Sequence, residues 1–156
     1  MNRSVTCYYA KGGQGKRVIP AFAEGCCGVV QKEGPYRPGV AAIYGVKPRT
    51  AAIWRDIQRH PYRWFYIDNA YFGRGTYFRV TEGAIQCSGT GRAAGDDRFY
   101  RLGVRLRPWQ TSGRHVLVCA QSDNFMANTC GVDPQAWAQD VRRRLSAHTD
   151  RPILWR

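Results

Sequence analysis

The stretch Trp64–Val80, WFYIDNAYFGRGTYFRV, holds the densest set of side chains able to do chemistry. Asp68 offers a carboxylate and Asn69 an amide, Arg74 and Arg79 offer guanidinium groups, and Tyr71 and Phe72 place flat rings among them. A carboxylate can take the proton of an attacking hydroxyl, and a guanidinium can neutralise charge developing on a leaving phosphate. Asp68 is therefore the candidate catalytic residue, with Asn69, Tyr71, Phe72, Arg74 and Arg79 as candidate substrate-binding residues. Asp-Asn pairs also make plain turns by bonding their own backbone. The site reading rests on position. Trp64–Ile67 is a short apolar, β-prone run, so the polar residues follow the carboxyl end of a buried strand, where open α/β sheets build ligand sites.

A second candidate is KGGQGKR, Lys11 to Arg17, after the apolar segment Ser4–Ala10. Gly12, Gly13 and Gly15 would let backbone N–H groups approach a phosphate, with Lys16 and Arg17 adding charge. The spacing departs from the two common fingerprints. G-x-x-x-x-G-K-[ST] would need glycine at Ala10 and a hydroxyl at Arg17, and G-x-G-x-x-G is absent. A solvated basic loop accounts for the same residues. No metal site is expected: Cys7, Cys26, Cys27, Cys87, Cys119 and Cys130 form no C-x-x-C, and His60, His115 and His148 stand at no zinc-like spacing from them. These read as structural thiols.

The elements that must position these residues alternate. Ser4–Ala10 reads as a strand and Val18–Glu24 as a short helix opening near Pro20. Strands follow at Cys26–Gln31 and Val40–Tyr44, then a helix from Lys47-Pro48 to His60, then the Trp64 strand and a β-rich Tyr77–Val80. The pattern predicts an α/β, Rossmann-like fold with a mostly parallel sheet and flanking helices. Cys87–Gly95, with Arg92, reads as a loop, Asp96–Leu102 as helical turns, and Val104–Trp109 as an alternating segment with Arg105 and Arg107 on one face. Thr111-Ser112-Gly113 marks the boundary between a Rossmann-like unit, 1–112, and a βαβ unit, 113–156. In the latter, His115–Gln121 is a strand, and Asp133-Pro134 opens a helix with Trp137, Val141 and Leu145 in one stripe. Ile153–Trp155 is the last strand. The strands at Ser4–Ala10, Trp64–Asp68 and Val116–Gln121 are expected to share the central sheet.

Lysine and arginine number 24 against 11 acids in 156 residues, a formal charge of +13, and only Lys11, Lys16, Lys32 and Lys47 are lysines. Preference for arginine can follow from a GC-rich genome; the surplus of bases over acids does not. It predicts a polyanionic partner, a nucleic acid or nucleotide. No apolar run approaches the ~20 residues that span a bilayer, so no membrane partner is expected. The first residues lack the apolar core of a signal peptide, which predicts a cytoplasmic protein.

Three segments in order, YIDNAYFGRGTYFRV, GRHVLVCAQS and DRPILWR, resemble a family of phage and prophage proteins with a glycosyltransferase-B-like (GT-B) architecture. The resemblance implies a Rossmann-like first half carrying the aspartate–aromatic loop, and a second half, opened by HVLVCAQS, where a nucleotide-sugar donor would bind. It would place Asp68, Asn69 and Tyr71 in the cleft between halves and Gln121 and Ser122 at the start of the donor half. A complete second half is longer than 113–156. The resemblance therefore implies that this segment packs on the first unit or completes a partner, either another copy of the chain or a separately encoded second half. Two function classes follow. One is a phage-type glycosyltransferase-like protein acting on or binding a nucleotide-activated sugar or a phosphorylated or nucleic-acid acceptor, in the cytoplasm of the host cell. The other is a non-catalytic, basic nucleic-acid-binding or virion-associated protein.

Overall fold

The computed structural model describes residues 4–10, 12–32, 34–86 and 97–156, so the loop expected over Cys87–Gly95 lies outside the described residues. Strands β1 (Thr6–Tyr9), β2 (Val29–Lys32), β3 (Ala41–Tyr44), β4 (Trp64–Asn69) and β5 (Phe78–Glu82) form a five-stranded sheet in the order β2-β1-β3-β4-β5. The first four run parallel, and β5 pairs antiparallel with β4 at one edge. The mostly parallel sheet expected from the sequence is thus present.

Apolar residues on both faces of the central strands explain how the sheet is covered. Tyr8, Ala41, Ile43 and Tyr66 pack on Ile53, Trp54 and Ile57 of α2 (Ala51–Arg59). Cys7, Ala42 and Ile67 pack on Ile19 and Ala23 of α1 (Gly15–Gly25). One helix on each face means that the strand order reverses between β1 and β3, the switch point at which open α/β sheets leave a crevice.

Helix α1 begins at Gly15, earlier than its sequence suggests, and contains Pro20. A proline there removes the hydrogen bond to the Lys16 carbonyl, one bond near the open end of the helix, while its φ stays helical. Residues 26 and 27 form the turn after α1, so β2 starts at Val29 rather than Cys26. A 3-10 turn at Pro48–Thr50 leads into α2, and buried Thr50 locks it by accepting from the Lys47 N–H at 3.0 Å.

Beyond the short α3 (Asp97–Arg101), the alternation of Val104–Trp109 forms no strand; Leu106 and Trp109 are exposed. Strands β6 (Val116–Val118) and β7 (Ile153–Trp155) pair in parallel as a separate two-stranded sheet. The Val116 strand therefore does not join the central sheet. The β4 edge is already taken by β5, whose short hairpin connection closes at small entropic cost. Between β6 and β7 run α4 (Asp123–Phe125), a π-helical turn at Met126–Cys130, and α5 (Pro134–Ser146). Asp133 caps α5 as expected, accepting from the N–H groups of Gln135 and Ala136 at 2.8 and 3.1 Å. Trp137 of α5 meets Trp155 edge-on, with ring centroids 6.2 Å apart, while Leu117 and Leu154 on the other face stay exposed. The two sheets are joined at α2. The Trp54 Nε1–H donates to the Thr129 carbonyl at 3.2 Å, and Asn124 Nδ2 donates to the Val46 carbonyl at 2.9 Å.

Among the described residues, no helix is long and apolar enough to cross a membrane, and no three His, Cys, Asp or Glu side chains gather as a metal site.

Candidate anion-binding site at the carboxyl edge of the sheet

Because β1, β3 and β4 are parallel, their carboxyl ends lie on one edge, and the loops that follow meet there. Gly12 and Gly13 turn with φ of +100° and +68°, a conformation that suits glycine. Gln14 precedes α1 and makes no capping hydrogen bond with its side chain. Gly15 is buried. A Cβ there would lie 3.1 Å from Tyr44 Cδ1 and 3.2 Å from Tyr9 Cβ, so its small size lets α1 sit close on the sheet. Lys16 and Arg17 are exposed on the first turn of α1.

Three further residues come to this place that the sequence did not single out. A Cβ on Gly13 would be 3.2 Å from Lys47 Nζ, so the lysine after β3 reaches over the glycine turn. The Tyr44 hydroxyl donates to Gln14 Oε1 at 3.4 Å. A Cβ on Gly75 would be 2.8 Å from Gln14 Nε2, so the tip of the β4–β5 hairpin touches the same turn. Lys47 could have been found, since it lies three residues past a strand's carboxyl end. Gln14 and Tyr44 carried no such signal.

Strand alternation divides the Asp68 cluster between the two faces of the sheet. Asn69 lies with Phe78 and Tyr44 on the α1 side, its side-chain oxygen buried without a hydrogen-bond partner among the described residues. Asp68 lies opposite Arg79 on the α2 side, and its Oδ1 accepts the Asn69 N–H at 2.7 Å. Arg79 is turned toward Tyr71: Nη1 donates to the hydroxyl at 2.5 Å, and the guanidinium carbon lies 5.0 Å from the ring centre. The Asp68 carboxylate is felt on both faces. Burial first, then Asp68, raise the Tyr44 phenol above its ordinary range, with Asn69 and Arg74 opposing. Burial and Asp68 raise Tyr66 in the same way, with Arg79 opposing.

Tyr71 and Phe72 stand exposed on the hairpin tip. Gln121 and Ser122 lie exposed between β6 and α4. Ser122 is a helix cap, its Oγ accepting the Phe125 N–H at 3.3 Å. A separate cleft of about 520 Å³ opens between α2 and the π turn, lined by Trp54, Arg55, Gln58, Arg59, Asn128 and Thr129 among others. No protein-family model, curated protein or solved structure matches the chain.

Proposed function

We propose that the protein is a phage-type glycosyltransferase-like protein that binds a nucleotide-activated sugar at the crevice between β1 and β3. The observation that carries this reading is the charge around α1. A helix N-terminus is already positive, and acids there stabilise it. In α1 the first turn has no acid and carries Lys16 and Arg17, Glu24 stands in the last turn, and Lys47 reaches over the preceding glycine turn. The arrangement costs stability until an anion arrives. Backbone N–H groups of the open turn with Lys47 and Arg74 suit a diphosphate. Asp68, on the neighbouring strand, is then the base for an acceptor hydroxyl, and Arg79 opposite it takes part of the developing charge.

A second reading, a basic protein that binds nucleic acid without catalysis, is favoured by the exposed aromatic residues beside those cations. Calorimetric titration with a uridine or adenosine diphosphate sugar, and with single-stranded DNA over a range of salt, separates the two. Saturable nucleotide-sugar binding that Lys47→Ala weakens by roughly tenfold, the loss of one charge-assisted hydrogen bond, supports the first. Salt-steep DNA binding with no response to the nucleotide sugar overturns it in favour of the second.

A further inference from the structure

We infer that the tip of the β4–β5 hairpin is a ring-stacking platform and that the nucleotide part of the crevice's ligand, free rather than part of a nucleic-acid strand, lays its base on Tyr77 and Phe72. The inference rests on the anion site proposed above and names the part of the ligand that the anion site leaves undefined. The tip is built, not loose. The N–H groups of Thr76 and Tyr77 both donate to the Gly73 carbonyl, at 2.8 and 3.1 Å, and the Ala70 N–H donates to the Tyr77 carbonyl at 3.0 Å. The Tyr77 ring is seated on Gly73, where an added Cβ would come within 2.7 Å of it, yet the residue stays 56% exposed. Phe72 is 50% exposed and Tyr71 72%. Three large rings thus stand exposed on one hydrogen-bonded turn, and exposed aromatic side chains near cations suit the stacking of a base. Tyr71 is already engaged by Arg79, which leaves Tyr77 and Phe72 to receive a ring.

The platform is tied to the anion site by the contact of Gly75 with Gln14, one residue before α1. A molecule with phosphates at Lys47 and the Gly12–Gln14 turn and a flat ring on Tyr77 is a nucleotide. The anchoring groups lie together at one edge of the sheet, whereas a nucleic-acid strand is held by cations that follow its backbone. That favours the free nucleotide.

The experiment compares ADP and UDP with inorganic pyrophosphate on the intact chain, by calorimetry, for the parent protein and for Tyr77→Ala, Tyr77→Phe and Phe72→Ala. These side chains are exposed, and thermal melting checks that each variant folds. The nucleotides should bind roughly tenfold or more tighter than pyrophosphate, Tyr77→Ala should remove most of that advantage, and Tyr77→Phe should keep it. Pyrophosphate affinity should be the same in all variants. Pyrophosphate binding as tightly as ADP and UDP, or an advantage that survives Tyr77→Ala and Phe72→Ala, overturns the stacking platform and leaves the anion site standing. Binding of neither pyrophosphate nor nucleotide overturns both. A single-stranded oligonucleotide that binds roughly tenfold tighter than the nucleotides overturns the assignment to a free nucleotide.

Discussion

Cys7 and four tyrosines set the response to alkaline pH. Burial first, then neighbouring Cys26, pushes the Cys7 thiol up to about 12 from an ordinary 9.0. The folded state thus keeps a proton that the unfolded chain releases, so stability is intact below about pH 9 and falls as pH rises from there toward 12. Tyr8, Tyr36, Tyr44 and Tyr66 are raised by burial and act in the same direction above their ordinary 10.0. Denaturant midpoints should hold level to about pH 9 and then decline, and tyrosinate absorbance should lag behind that of the unfolded chain. Superimposable native and unfolded titration curves would contradict this. At about pH 8 a thiol alkylating agent should label Cys27, Cys119 and Cys130, all exposed, and spare Cys7 until unfolding. For the proposed reaction, Asp68→Asn keeps the shape and removes the base. Sugar transfer, measured under single-turnover conditions, should fall by at least about 100-fold with nucleotide affinity little changed. Equal loss of affinity and rate would assign Asp68 to binding instead.

At the scale of elements, α1 and α5 make a contrast. Helix α5 has Asp133 at its start and Arg143 and Arg144 in its last turn, and Arg144 also pairs with Asp140 at 2.7 Å. Its charges follow the helix dipole, while those of α1 oppose it. Asp133→Ala should cost about 1 kcal/mol, seen as faster amide exchange in α5 with little change in the central sheet. The turn between α1 and β2 is less forgiving. A Cβ on Gly28 would lie 2.7 Å from the Val5 carbonyl oxygen, which holds β2 in register by accepting the Val29 N–H at 2.8 Å. Gly28→Ala should therefore lower stability by about 1–3 kcal/mol, as a shift of the denaturant midpoint. An unshifted midpoint would mean that the turn relaxes freely.

For the whole molecule, the question is how the smaller sheet relates to the larger. The bonds from Trp54 to Thr129 and from Asn124 to Val46 fasten the two. Trp54→Phe keeps most of the buried surface and removes one bond, so exchange in the 122–130 segment should quicken before that of the central sheet. Trp155 is half-buried against Trp137 and Arg142 of α5, so it is poorly placed to meet a partner. On the smaller sheet, the Leu117 and Leu154 face and the outer edges of β6 and β7 are open among the described residues. Open edges favour addition of a further strand. A second copy pairing there should give concentration-dependent sedimentation that strengthens with salt, because +13 charges on each chain repel, and Leu154→Lys should weaken it. A species that stays monomeric up to ~100 µM at high salt would set this aside, since a standard interface holds well below that concentration.

The alternation of apolar strand, turn and amphipathic helix was enough to specify an α/β fold, the Asp133 cap, and the place of Asp68 and Asn69 at a strand's carboxyl end. These features are local, encoded by neighbours in the chain. Only the tertiary structure decided which strands share a sheet. It made β5 the antiparallel edge and kept β6 out, because pairing depends on which edges remain open once the nearest segments have closed. It also sent Asp68 and Asn69 to opposite faces and brought Gln14, Tyr44 and Lys47 to one crevice with the hairpin tip. Residues 14, 44, 47 and 75 meet because parallel strands align their ends across the sheet, and nothing in their spacing along the chain carries that information.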